Sequence, residues 1–186
     1  MRKNEKTYSI VMTAMMTCLI LLTTYTFKIP TPFQGYVHLG DAMIFLSVLA
    51  VGRKNGALAA AVGSSLADLL GGYAAFVPWT FAIKGLMALV MGLFIDMMTK
   101  KQSKTLKLAG VPLTELIGMI MAGLVMVLGY GIADAVLAGN LLAGILSMPA
   151  NCGQFAAGVV IASVLAAALY KTPAKRYFTY RLDEVK

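Results

Sequence analysis

The chain has 186 residues, of which 59% are hydrophobic and only 13% charged, with a mean hydropathy of +0.79. That balance excludes an ordinary soluble domain and reads as an all-α integral membrane protein of one domain spanning 1–186. The formal net charge of +8 would suggest nucleic acid in a soluble protein, but here the placement of the basic residues accounts for it.

In chain order, six apolar segments are predicted as transmembrane helices, at about residues 7–27, 39–52, 56–71, 78–98, 112–137 and 147–170. The first, Thr7 to Phe27, is long enough to span roughly 30 Å of hydrocarbon at about 1.5 Å per residue. TTYTF at its end is no signal-peptide cleavage site. KIPTPFQGYVHLG, Lys28 to Gly40, follows as an ordered loop, because two prolines and two glycines cannot continue a helix and its aromatics suit a membrane interface. The second and third runs, divided by Gly52-Arg53-Lys54-Asn55-Gly56, are each short for a crossing. Gly71-Gly72 ends the third, and Pro78 suits the first turn of the fourth. The basic segment TKKQSKTLK precedes the fifth run, AGNLLAGIL separates fifth from sixth, and KTPAKRYFTYRLDEVK is a polar tail. Cys18 and Cys152 lack metal or disulfide spacing and are expected as buried small apolar residues.

With the N-terminus cytoplasmic, fourteen of the sixteen basic residues fall on inner segments. They are Arg2, Lys3 and Lys6, then Arg53 and Lys54, then Lys100, Lys101, Lys104 and Lys107, then Lys171, Lys175, Arg176, Arg181 and Lys186. Only Lys28 falls outside and only Lys84 within a membrane run. By the positive-inside rule both termini are expected in the cytoplasm.

On that orientation the polar residues separate. Asp41, Asp68, Lys84, Asp134, Asn151 and Gln154 all lie in the outer half, whereas Asp96 and Glu115 sit near the basic inner ends, where pairing with Lys100 or Lys107 is expected. An ionisable residue inside an apolar run costs about 2.5 kcal/mol or more on insertion scales, so it is usually paired, facing a cavity, or functional. The stretch DLLGGYAAFVPWTFAIK, Asp68 to Lys84, is read as the rim of an outward small-molecule pocket. Each member also has a plainer reading. Lys84 can pair structurally with Asp68 or Asp41, and Asp134 can cap a helix end. His38 can be a hydrogen-bonded loop residue, and Tyr36, Tyr73 and Trp79 can be interfacial aromatics. Asn151 and Gln154, at i and i+3 on one helix face, can satisfy one another. Their convergence on one side carries the binding reading.

The chain holds no GxxxxGK[ST] loop, HExxH, CxxC or GxSxG, so catalysis and a metal site are not indicated. A pocket of apolar walls with a few aromatics and hydrogen-bonding groups suits a small, flat ligand with polar edges. Small residues four apart, such as Gly52 and Gly56, Gly63 and Ala67, or Gly158, Ala162 and Ala166, let helices pack closely. Ala14 and Cys18 repeat that spacing on the first helix and offer a face for another membrane subunit.

Three stretches carry a family resemblance: GYVHLGDAMIFL, Gly35 to Leu46; VGRKNGALAAAVGSSLADLLGGYAAFVPWTFAIKGLMAL, Val51 to Leu89; and SMPANCGQ, Ser147 to Gln154. They resemble the substrate-binding S component of energy-coupling factor (ECF) vitamin transporters. The resemblance implies a six-helix fold in a bacterial plasma membrane, with an outward pocket roofed by the loop after the first helix. It also implies partnership with a transmembrane T component and two ABC-type ATPases, which bind the ATP and magnesium; no cofactor is expected in this chain. The ligand implied is a pyrimidine or pyridine vitamin or precursor, hydroxymethylpyrimidine or pyridoxine, with riboflavin carriers as close relatives. Ligand contacts are then expected from Tyr36, His38, Asp41, Asp68, Tyr73, Trp79, Lys84, Asn151 and Gln154. Docking on the T component is expected through Ala14 and Cys18, where the family has an Ala-xxx-Ala face. A self-sufficient proton-coupled transporter using Asp68, Lys84 and Asp134, and a membrane enzyme acting on a lipid-like substrate, are the competing functions.

Overall fold

The computed structural model describes residues 3–30, 36–100, 106–108 and 110–180, with the side chains of residues 3 and 4 left out. Part of the expected roof loop (31–35) and five of the counted basic residues, Arg2, Lys101, Lys104, Arg181 and Lys186, lie outside the described residues.

Helix α1 (Lys3–Thr26) leads into a two-stranded hairpin, β1 (Lys28–Pro30) and β2 (Tyr36–His38), in antiparallel register with Lys28 opposite His38. Helix α2 (Gly40–Leu70) follows, then a short 3-10 turn (Ala74–Phe76), α3 (Val77–Lys100), a second small ribbon of β3 (Lys107–Leu108) and β4 (Val111–Pro112), α4 (Leu113–Leu137) and α5 (Leu141–Tyr170). A last 3-10 turn, Pro173–Tyr177, ends the regular structure. All five helices are long and apolar enough to cross a membrane.

The expected helices at 39–52 and 56–71 are the two limbs of α2, which join at Gly52 without an intervening loop; with α2 taken as one element, five long helices are found among the described residues. The reason is local. Helical turns run up to both sides of Gly52, which alone leaves the helical region with φ 79° and ψ 174°, a conformation open to glycine. A Cβ on Gly56 would lie 2.8 Å from Val48 Cα. Residues eight apart in a straight helix are separated by about 12 Å, so the chain doubles back at Gly52. Asp41 and Asp68, near the two ends of α2, therefore meet at the same end of the bundle.

Helix α2 packs against α1, α3 and α5, and α4 closes the bundle against α3 and α5. Small residues make the close approaches: a Cβ on Gly63 would meet Thr17 O of α1 at 2.7 Å, and one on Gly144 would meet Gly131 O of α4 at 2.2 Å. Buried Phe45, Met87, Met91, Met119 and Met126 fill the centre. Helix α5 starts at Leu141, upstream of Ser147, because Gly139 turns with φ 63° and the Asn140 side chain caps the first turn, accepting from Leu142 N–H at 2.9 Å. Pro149 then lies inside the helix.

Two further expectations are corrected. Cys18 and Cys152 are exposed. In a bilayer the surroundings are as apolar as the core, so a small apolar side chain gains little by turning inward. Asp96 pairs with Arg53 at 3.1 Å, not with Lys100 or Lys107, and accepts from the Tyr180 hydroxyl at 2.7 Å, because the turn after Gly52 and the tail both reach α3 there. Glu115 is fully buried and accepts from the Tyr170 hydroxyl at 2.5 Å.

Candidate functional site

At the end of the bundle carrying the β1–β2 hairpin, side chains from β2, α2, the first 3-10 turn, α3, α4 and α5 converge. The floor is an ion pair: Lys84, from α3, donates to Asp41 Oδ1 at the start of α2, with both side chains fully buried. Gln154 of α5 extends this pair upward. Its Nε2 donates to Asp41 Oδ2 at 2.8 Å and its Oε1 accepts from the His38 backbone N–H at 2.9 Å. One amide thus ties the strand above the cavity to the ion pair below it.

His38 is held by the same wall. Gly40 N–H donates to its Nδ1 at 3.0 Å, which leaves the ring proton of a neutral imidazole on Nε2. Burial, followed by the Lys84 ammonium, pushes the pKa of His38 down to about 3, against the opposing pull of Asp41. Its ring is therefore neutral near pH 7 and offers a donor, not a charge. Tyr36 donates its hydroxyl to Asp68 Oδ1 at 2.5 Å and packs against Tyr73, with ring centroids 4.6 Å apart. Burial and the Asp68 carboxylate push the Tyr36 phenol far up, so it stays protonated.

Between these groups lies a cavity of about 40 Å³, and about 500 Å³ of unfilled space when its open mouth is counted. Sites for drug-sized ligands commonly run to about 300 Å³ and more. A cavity of about 40 Å³ holds a few water molecules, so a ring-sized ligand must displace them and shift the side chains around it.

Of the residues expected at the site, Tyr36, His38, Asp68, Asn151 and Gln154 line the cavity. Asp41 and Lys84 lie sealed beneath it, Tyr73 backs Tyr36, and Trp79 packs against the apolar core. Asp134 also lines it. The Asn151 side chain is nine-tenths buried and makes no hydrogen bond to the described protein, and Asp68 Oδ2 is buried with none either. The sequence reading missed Phe76, Thr80, Tyr130 and Ser147. A signal was present: Thr80 precedes Lys84, Tyr130 precedes Asp134, and Ser147 precedes Asn151, each by four residues and so on the same helix face. Thr80 and Tyr130 join their hydroxyls at 3.0 Å across α3 and α4.

Ala14 and Cys18 face outward on α1, in a shallow apolar groove completed by Thr13, Thr17, Leu58 and Val62. The α1 hydroxyls do not disturb that face, since Thr13 and Thr17 donate back to Ser9 O and Thr13 O at 2.7 and 2.9 Å.

A helical membrane bundle with inward polar groups around a cavity at one end defines a membrane-embedded binding protein. The chain belongs to the family described as ECF-type riboflavin transporter, S component, which matches residues 4–171. S components are substrate-binding subunits of vitamin transporters, working with a T component and ATPases, and are not themselves enzymes. Among solved structures, the fold matches the S component for biotin from an ECF-type ABC transporter with a TM-score of 0.70. That match has 19% identity and covers 96% of this chain and 99% of the other. It also matches the S component of a bacterial ECF transporter with a TM-score of 0.56 at 19% identity, over 89% and 95%. At that identity the likeness concerns the fold. An uncharacterized protein of Pyrococcus woesei is 36% identical over 112 residues, 60% of this chain and 68% of the relative.

Proposed function

We propose that this chain captures a small heterocyclic vitamin or precursor, of hydroxymethylpyrimidine or pyridoxine size, at the β-hairpin end of the bundle. It delivers the solute inward by toppling in the cell membrane in complex with a T component and two ATPases. The observation that carries this reading is the inward convergence of Tyr36, His38, Asp68, Asn151 and Gln154 around a cavity of only about 40 Å³. A single ring seats there with less rearrangement than a fused tricycle. On this reading Asp41, Lys84 and Tyr73 position the contacts, and the Ala14 and Cys18 face meets the T component. The positive-inside count supports an outward pocket with both termini in the cytoplasm. In line with it, Tyr8 near the start of α1 stacks on Tyr177 of the tail, ring centroids 6.5 Å apart, at the end remote from the cavity.

Riboflavin is the second reading, because the matching family carries that name. Mass spectrometry of small molecules co-purifying with the protein, followed by calorimetry with hydroxymethylpyrimidine, pyridoxine and riboflavin, tests both. A bound pyridine or pyrimidine supports the first and bound riboflavin the second. If nothing co-purifies and none of the three binds, the capture reading fails. Uptake into liposomes by this chain alone, driven by a pH gradient, would overturn its role as a subunit that depends on ATPases.

A further inference from the structure

The charge balance of the cavity narrows the ligand further, resting on the capture reading above. Two carboxyl groups line it, Asp68 on α2 and Asp134 on α4, and among the described residues no cationic side chain does. The nearest ammonium, Lys84, is fully buried and spent on Asp41, with the Tyr130 ring 5.2 Å from its Nζ. Lys28, at the mouth, holds its Nζ over the rings of Tyr25, Tyr36 and Tyr73 at 4.6, 5.5 and 5.6 Å. His38 is neutral. Among the described residues about the cavity, two carboxyl groups, Asp68 and Asp134, thus stand against one ammonium outside the buried pair, Lys28.

Asp68 is 4% exposed; the Tyr36 hydroxyl donates to its Oδ1, the Thr80 hydroxyl lies close enough to act on the carboxyl group as well, and its buried Oδ2 receives no hydrogen bond of normal geometry. A buried carboxylate oxygen left unpaired is costly, and a ligand that supplies an N–H, above all a charged one, recovers that cost. A ligand bringing its own carboxylate or phosphate meets like charge in a poorly solvated site. The remaining polar groups differ in kind. His38 presents its Nε2, 3.5 Å from Gln154 Nε2, and the Asn151 amide can donate and accept.

We infer that the cavity selects an amino-bearing or cationic heterocycle, with a ring amino group or a protonated nitrogen on Asp68 Oδ2 and ring acceptors toward His38 and Asn151, and that it rejects anionic vitamins. The fit is polar at both edges, with Phe76 and Tyr130 supplying apolar walls.

Matched ring pairs test this on the purified full-length chain in detergent. The pairs are pyridoxamine, pyridoxine and 4-pyridoxic acid, which differ at one ring substituent, and hydroxymethylpyrimidine carrying a 4-amino or a 4-oxo group. In each series the amino member should bind at least tenfold tighter than its neutral counterpart, and 4-pyridoxic acid at least a hundredfold weaker than pyridoxamine. Asp68→Asn should shrink the amino preference to under threefold; if that variant fails to elute as a single species, Asp134→Asn and the wild-type series stand in its place. Tight binding of the acid or the 4-oxo ring, an amino preference unchanged in Asp68→Asn, or co-purification of riboflavin or a phosphorylated vitamin would overturn this inference while leaving capture intact. Absence of binding by every probe, with no co-purified molecule, would instead overturn capture itself.

Discussion

Lys84–Asp41 and Arg53–Asp96 join the same kinds of groups at opposite ends of the bundle. In the first pair both side chains are 0% exposed; in the second they are 32% and 31% exposed. Charges removed from water must be compensated completely, so the first pair is held on every side, by Gln154 and by the Tyr130 face. The second is about a third exposed, so solvent or headgroups share with the Tyr180 hydroxyl in compensating it. The difference teaches that the ion pair beneath the cavity is a fixed platform, whereas the one at the far end is a local tie between the α2 turn, α3 and the tail.

That contrast breaks or sharpens under substitution. Lys84→Met leaves the Asp41 carboxylate buried without its cation, with only the Gln154 amide donating to it, and should cost about 3–5 kcal/mol, seen as a large loss of folded protein in detergent. Adding Asp41→Asn, which keeps an acceptor for Gln154, should recover much of that; a double variant no better than the single one would show that Lys84 serves something other than the pair. The platform also predicts a pH limit. His38 titrates near 3 when folded and near 6.5 when free, so below about pH 6.5 the unfolded chain binds more protons. Stability should then fall progressively as pH drops from about 6.5 toward 3. His38→Asn should flatten that slope in thermal melts.

At the other end the backbone approach outweighs the charges. A Cβ on Gly92 would lie 2.6 Å from Arg53 Cβ and 2.9 Å from its Cα, so Gly92→Ala should cost about 1–3 kcal/mol in the same melts. In the cavity, Asn151→Ala removes an amide with no protein partner, and should weaken ligand binding roughly tenfold, about 1.4 kcal/mol, while leaving the melting midpoint unchanged. Arg53→Ala should be the mildest, within about 1 kcal/mol. A loss there equal to that of Lys84→Met would refute the role assigned to burial.

Much of this was legible in the sequence, for reasons that differ by residue. Lys84 and Asp41 stand out because a charge in an apolar run demands an explanation, although which aspartate Lys84 chooses depends on where the chain doubles back at Gly52. The cavity's polar members on α3, α4 and α5 were only half legible. Thr80, Tyr130 and Ser147 look like ordinary membrane-helix residues until their four-residue spacing to a charged or amide neighbour is noticed. Tyr130 in particular reads as an interfacial aromatic, and only the α3–α4 packing brings it to Thr80. Cys18 shows the opposite failure, since a rule learned from water-soluble cores assigns it inward where a lipid surrounding imposes no such preference.

The turn at Gly52 also constrains the order in which the molecule can be finished. The carbonyls of Leu49 and Ala50 receive the backbone N–H of Thr179 at 3.0 Å, and Ala50 O additionally accepts from the Thr179 hydroxyl, 129 residues downstream. During synthesis this early bend waits, with those acceptors open to water, until every later span has been made. The lock on the bend in the first half of the protein is therefore supplied by a residue that follows its last long helix.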